Sequence, residues 1–159
     1  MTPIKVLFVC TGNTCRSPMA EGLFKKAVAE LDGIECIGSA GVSAFPGDEI
    51  STETDSILAA NNAQLASFRS RAVSSYLLDE ATHVYTMTQS HLNTITRNYP
   101  GHEKKCKLVC DFVQIGGEIG IDLPDPIGCG PEAYAHVAKI LNASIAGILA
   151  DLKSSQSPS

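Results

Sequence analysis

An α/β domain with a parallel sheet is predicted by three features of the 159-residue sequence. Short β-branched apolar runs alternate with segments whose apolar residues recur at helical spacing. The first run passes directly into a small polar loop and then a helix, the opening of a βαβ unit. The length suits one sizeable core, since a domain of this size buries roughly 70% of the surface its unfolded chain exposes and needs neither disulfide nor metal to fold. The expectation is a three-layer α/β/α arrangement around a four-stranded parallel sheet, one domain over residues 1–153, and a disordered polar tail over 154–159.

Each element has its own signal. Residues 4–9 read as a buried parallel strand and residues 10–17 as a loop. Pro18 fits a first helical position, and Met19, Ala20, Leu23, Phe24, Ala27, Val28 and Leu31 repeat at helical spacing up to a stop at Gly33. Residues 34–40 form a second strand closing at Gly41, 52–62 a helix, and 74–80 a short helix, with 63–72 left open. Residues 83–88 form a third strand, and 90–99 a helix stopped by Pro100-Gly101. Residues 107–112 form a fourth strand, and 114–131 a long loop of the length that usually carries function. The last helix runs from Glu132 to about Leu152, with Val137, Ile140, Leu141, Ile145, Ile148, Leu149 and Leu152 on one face. In open α/β sheets ligands bind at the carboxyl ends of strands, where the first polar loop and the late loop can meet.

Composition narrows the function. Twelve Lys and Arg against 17 Asp and Glu argue against nucleic acid as the main partner. No apolar run approaches the ~20 residues of a membrane-spanning helix, and the first residues lack the layout of a signal peptide, so a cytoplasmic protein without a membrane partner is expected. Six cysteines without a C-x-x-C pair, and four scattered histidines, suggest reduced thiols and no metal site. Nothing calls for a cofactor.

The chemistry concentrates in Cys10-Thr11-Gly12-Asn13-Thr14-Cys15-Arg16-Ser17, a C-x5-R-S loop between a strand and a helix amino terminus. Successive backbone N–H groups at such a turn form an anion nest, aided by the helix dipole. Thr11 to Ser17 therefore read as phosphate-binding. Gly12 and Asn13 tolerate left-handed backbone, and Arg16 offers a planar fork to two oxygens. Cys10 at the base lies where a helix terminus and an arginine favour the thiolate, which is the nucleophilic form. Ser17 can donate a hydrogen bond to that sulfur. A lone cysteine would read as a small core residue, but the clustering at one turn favours an attack on bound phosphorus. A phosphate-binding module without turnover remains the alternative. A Walker-type nucleotide loop is excluded because G-x-x-x-x-G-K-[ST] is absent.

Residues 9–21, from Val9-Cys10 through Arg16-Ser17-Pro18-Met19-Ala20-Glu21, resemble the amino-terminal signature of the low-molecular-weight protein tyrosine phosphatases. Gly38-Ser39-Ala40-Gly41 resembles the family's second-strand motif and Asp125-Pro126 its acid motif. The resemblance covers nearly the whole chain and implies the family's flavodoxin-like architecture. It implies a hydrolase acting on phosphorylated protein substrates, with phosphate and other oxyanions as inhibitors held in the loop. By the same resemblance Cys10 becomes a cysteinyl-phosphate and Arg16 stabilises the transferring phosphoryl group. Asn13 holds the loop with Ser39 as its partner. Asp125 protonates the leaving group and then activates water. Cys15 is a redox candidate through a disulfide with Cys10.

On their own, Asp111, Asp122 and Asp125 read as turn residues, and Asp122 is the second choice for the acid. Substrate choice turns on two departures. The tyrosine-specific pattern has an aliphatic residue where this chain has Thr14, and two aromatics where it has Ile127-Gly128. The combination is similar to the bacterial protein-arginine phosphatases of the family. Phosphoarginine is therefore favoured over phosphotyrosine, with Thr14 and Ile127 as specificity positions. Thioredoxin-coupled arsenate reductases also share the fold, but they need two cysteines where this chain has Tyr85-Thr86-Met87-Thr88-Gln89-Ser90.

Overall fold

A computed structural model describes residues 2–156. Four strands, β1 (Ile4–Cys10), β2 (Ile34–Gly41), β3 (His83–Thr86) and β4 (Cys106–Leu108), form a parallel sheet in the order β2-β1-β3-β4. The chain leaves β1 toward β2 on one side and later returns to β3 on the other. The carboxyl end of β1, which is Cys10, is thus the point where strand order reverses and a crevice opens.

Alternation along β1 builds two cores. Val6, Phe8 and Cys10 face one layer, made by α1 (Arg16–Val28), α2 (Thr52–Ala60) and α5 (Pro131–Gln156). Leu7 and Val9 face the other, made by α3 (Ser75–Glu80) and α4 (Gln89–Asn98). A strand buried on both faces has no polar side to show, which is why β1 reads as a continuous apolar run. Phe8 meets Phe24 edge-on at 5.4 Å and Tyr85 at 5.9 Å, filling the larger core.

Several boundaries differ from expectation. Helix α1 begins at Arg16, not Pro18. Pro18 is its third residue, still in the turn whose N–H groups have no helical acceptor, and the first helical bond is Met19 N–H to Cys15 O at 3.1 Å. The helix ends at Val28, and Gly33 with φ 83° makes the turn into β2. The fourth strand stops at Leu108. Asp111 Oδ2 accepts the Leu108 N–H at 3.0 Å and winds residues Val109–Phe112 into a 3-10 turn. The late loop contains a small hairpin, β5 (Gln114–Ile115) with β6 (Glu118–Ile119), turned by Gly116 and Gly117 at positive φ. Lys105 donates to the Leu78 and Ala81 carbonyls at the end of α3, at 2.7 and 2.9 Å.

Helix α5 is the largest departure. It begins at Pro131 and continues through Ser154 to Gln156, into the segment expected to be tail; residues 157–159 lie outside the described ones. Against the expectation of no membrane-length segment, it is long and apolar enough to cross a bilayer by length and composition. Its apolar face is instead core: Tyr134, Val137, Leu141, Ile148 and Leu152 are buried in the larger cluster.

Candidate active site

The loop of residues 10–17 is held by a chain of hydrogen bonds. Asn13 is fully buried with φ 57°, the left-handed region that Asn tolerates. Its Oδ1 accepts the Arg71 backbone N–H at 2.9 Å, which fixes the orientation of the amide. Nδ2 then donates to Ser17 Oγ and Ser39 Oγ, both at 2.9 Å. Ser39 Oγ–H in turn donates to the buried carboxylate of Glu21 at 2.6 Å. Ser17 Oγ, with an acceptor site filled by Asn13, has two acceptors within reach of its proton, Cys10 Sγ at 2.9 Å and Ala40 O at 3.5 Å, and the shorter contact is to the sulfur. The Asn13 N–H also points at that sulfur, at 3.2 Å. Cys10 therefore sits at the end of β1, 3% exposed, with two donors aimed at its sulfur.

Glycines let the neighbouring strand come close. A Cβ on Gly41 would lie 2.4 Å from Thr11 O, so only glycine lets β2 support the loop there. At Gly38 a β-bulge shifts the β1–β2 register, φ is 132°, and a Cβ would lie 2.3 Å from Arg71 Nη2. The Arg71 guanidinium occupies that space and donates to Ser39 O and Ile37 O, each at 2.9 Å. From the other side, Ser51 N–H and Thr54 Oγ1 at the start of α2 donate to the Thr14 and Cys15 carbonyls.

Arg16 is buried and reaches across to the late loop. Nη1 donates to Leu123 O at 3.0 Å, and Nη2 lies 3.7 Å from Asp125 Oδ2. Asp125 Oδ1 accepts the Ile127 N–H at 3.1 Å, an Asx turn that orients the carboxylate beside buried Pro126. The Asp125 side chain is half exposed. Asp122 is occupied elsewhere: its Oδ1 accepts the Gln89 N–H at the start of α4, at 2.8 Å. Asp111 serves the 3-10 turn. Of the three late-loop carboxylates, only Asp125 has an ion-pair contact with Arg16 among the described residues.

The other positions singled out in the sequence divide. The Thr14 hydroxyl, among the described residues, bonds to no loop backbone group; its one side-chain contact is Cys15 Sγ at 3.7 Å. Ile127 is 61% exposed at the end of the Asp125 turn. Cys15 and Cys10 are both free thiols, and the Cys15 sulfur lies 3.4 Å from Tyr134 OH on α5. Burial, then the Cys15 hydrogen bond, pushes the Tyr134 hydroxyl well above its usual range, so it stays protonated. Cys106 and Cys110 are core thiols, each pushed up to about 11 by burial. Among the described residues no group of three or more His, Cys, Asp or Glu side chains is placed to hold a metal.

Glu21, Arg71 and His91 also support the loop: Glu21 lies within the residue 9–21 signature, while Arg71 and His91 approach from distant segments. Thr11 Oγ1 lies 2.8 Å from His91 Nε2, 80 residues away. Burial, then the Arg16 charge, pushes the His91 imidazole down to about 4, opposed by Asp122 and Asp125. The one available signal was Thr88-x-x-His91, which has the spacing of a reciprocal helix cap.

Residues 5–157 match the family model described as low molecular weight phosphotyrosine protein phosphatase. A protein-arginine-phosphatase of Geobacillus stearothermophilus is 36% identical over 97% of this chain and 99% of its own length. The solved structure of the YwlE arginine phosphatase from that organism superposes with a TM-score of 0.86 at 36% identity, covering 97% of this chain and 96% of that one. A low molecular weight protein tyrosine phosphatase from T. tengcongensis superposes at 0.84 and 34% identity, covering 93% and 99%.

Proposed function

The chain belongs to the low molecular weight phosphotyrosine protein phosphatase family, a cysteine-dependent protein phosphatase and hydrolase, and from that premise we propose that it removes phosphate from phosphoarginine side chains. The observation that supports the mechanism is Cys10 Sγ with Ser17 Oγ and the Asn13 N–H beside it, on the same loop whose buried Arg16 reaches Asp125 at 3.7 Å.

The phosphoryl oxygens take the loop N–H groups of residues 11–17 and Arg16, which neutralises charge that develops as the bond to phosphorus shifts. Cys10 Sγ attacks phosphorus and the P–N bond breaks. Asp125, protonated at this stage, gives its proton to the departing guanidine nitrogen. Water then attacks the cysteinyl-phosphate, Asp125 takes its proton, and the S–P bond breaks with Ser17 Oγ–H donating to the leaving sulfur. Inorganic phosphate, held by the same donors, is a competitive inhibitor. Cys10 must remain an unoxidised thiol to react, which favours a reducing compartment such as the cytoplasm.

Two features favour phosphoarginine. The Thr14 hydroxyl, free of loop backbone bonds, is available to a polar guanidinium or its water. Ile127 stands where an aromatic wall would grip a phenol ring. The arginine-phosphatase relatives support the same choice. The test is kcat/KM on matched phosphoarginine and phosphotyrosine peptides. A preference of tenfold or more for phosphoarginine, about 1.4 kcal/mol of transition-state binding, is expected, and Thr14→Ile should erode it. A phosphotyrosine preference would overturn the substrate assignment and leave the family chemistry standing.

A further inference from the structure

We infer that the first turn of α4 is the joint that sets the phosphate loop against the acid loop, with His91 as a positioning residue acting through Thr11. The inference rests on residues 10–17 being the phosphoryl site.

His91 is buried, 4% exposed, and both ring nitrogens are committed. Nδ1 accepts the Thr88 N–H at 3.2 Å, so the ring proton lies on Nε2. Nε2–H donates to Thr11 Oγ1 at 2.8 Å, which leaves the hydroxyl proton of exposed Thr11 free to donate outward from the loop. A neutral imidazole is needed for this assignment, and the low value for His91 secures it across the neutral range.

The same turn grips the acid loop. Gln89 N–H donates to Asp122 Oδ1 at 2.8 Å, and Met87 O accepts the Leu123 N–H at 2.9 Å. Leu123 O then accepts from Arg16 Nη1 at 3.0 Å, which closes a ring from Thr11 through α4 to Asp122 and back to the phosphate loop. Asp125 lies three residues beyond Asp122, so its position relative to Arg16 is set by this ring. Capping alone does not account for histidine here. Any acceptor at position 91 could take the Thr88 N–H, and only the far ring nitrogen reaches Thr11.

Two substitutions separate the roles. Asn at position 91 can keep an acceptor for Thr88 but is too short for Thr11. Gln can extend an amide donor to Thr11. Inorganic phosphate binding by calorimetry and kcat/KM on a phosphopeptide would be measured for wild type, His91→Asn, His91→Gln, Thr11→Val and the Thr11→Val, His91→Asn double variant. Loss of one neutral hydrogen bond predicts about a five- to tenfold weaker phosphate Kd, with a matching fall in kcat/KM, for His91→Asn and for Thr11→Val. The double variant should be no worse than either single one, and His91→Gln should recover most of the loss. Multiplying effects, or a His91→Asn that lowers Tm with phosphate Kd unchanged, would overturn the inference. The calorimetry does not require turnover. A wild type that binds phosphate and hydrolyses nothing would defeat the proposed function and still leave the coupling between His91 and Thr11 readable.

Discussion

Asn13 offers a direct test of how the loop is held, because its side chain and its backbone contribute separately. The side chain makes three hydrogen bonds, to Ser17 Oγ, Ser39 Oγ and the Arg71 N–H, each at 2.9 Å, with none of its surface exposed. At a net of about 1 kcal/mol each, replacing it with glycine costs about 3 kcal/mol. Alanine loses the same bonds and also places a Cβ at φ 57°, adding about 1 kcal/mol. Asn13→Gly should therefore be more stable than Asn13→Ala by about 1 kcal/mol, the reverse of their order inside a helix. Urea unfolding of the three proteins measures it, and a domain with a typical stability of about 5–15 kcal/mol leaves both variants folded enough to compare. An alanine variant equal to or more stable than the glycine one, or both variants within about 1 kcal/mol of wild type, would refute the reasoning.

Asp125→Asn should lower kcat by about 10²–10³-fold, the usual scale of a lost general acid; Asp122→Asn, which keeps an acceptor for the Gln89 N–H, should stay within about threefold, and steady-state kinetics on one phosphopeptide compares them. Gly38→Ala should cost about 2 kcal/mol in urea unfolding, since its Cβ would strike Arg71 Nη2 at a φ of 132°. The pH dependence follows from His91. The unfolded chain takes up a proton near the ordinary 6.5 and the folded protein only near 4, so stability is whole above 6.5 and is lost as pH falls between them. The slope from this group is at most about 1.4 kcal/mol per pH unit, and His91→Gln should remove it. His83, also held below its usual value by burial, adds to wild type and variant alike.

What the sequence could reveal followed the range of each interaction. Cys10, Asn13 and Ser17 bond within seven residues of one another, so one local motif carries them. The Asp-Pro motif singles out Asp125 only through the resemblance, since on its own it reads as a turn, and the structure separates it from Asp122 by showing what each carboxylate binds. Arg71 and His91 reach the loop from 58 and 80 residues away, and no local pattern announces such a contact. The parallel sheet was legible because buried strands are continuously apolar. The end of β4 was not, because Val109 and Cys110 are equally buried in a strand or in the 3-10 turn that Asp111 caps. The continuation of α5 past Leu152 shows the same limit: serine and lysine at an exposed helix end look like tail.

The central claim is that phosphate passes through Cys10. Acid quench of wild type during turnover of a phosphoarginine peptide, followed by peptide mass mapping, reads it directly. One phosphoryl group on Cys10, accumulating further in Asp125→Asn, with turnover lost in Cys10→Ser, is the predicted result. Phosphate on another residue, or release at the wild-type rate by Cys10→Ser, would contradict it.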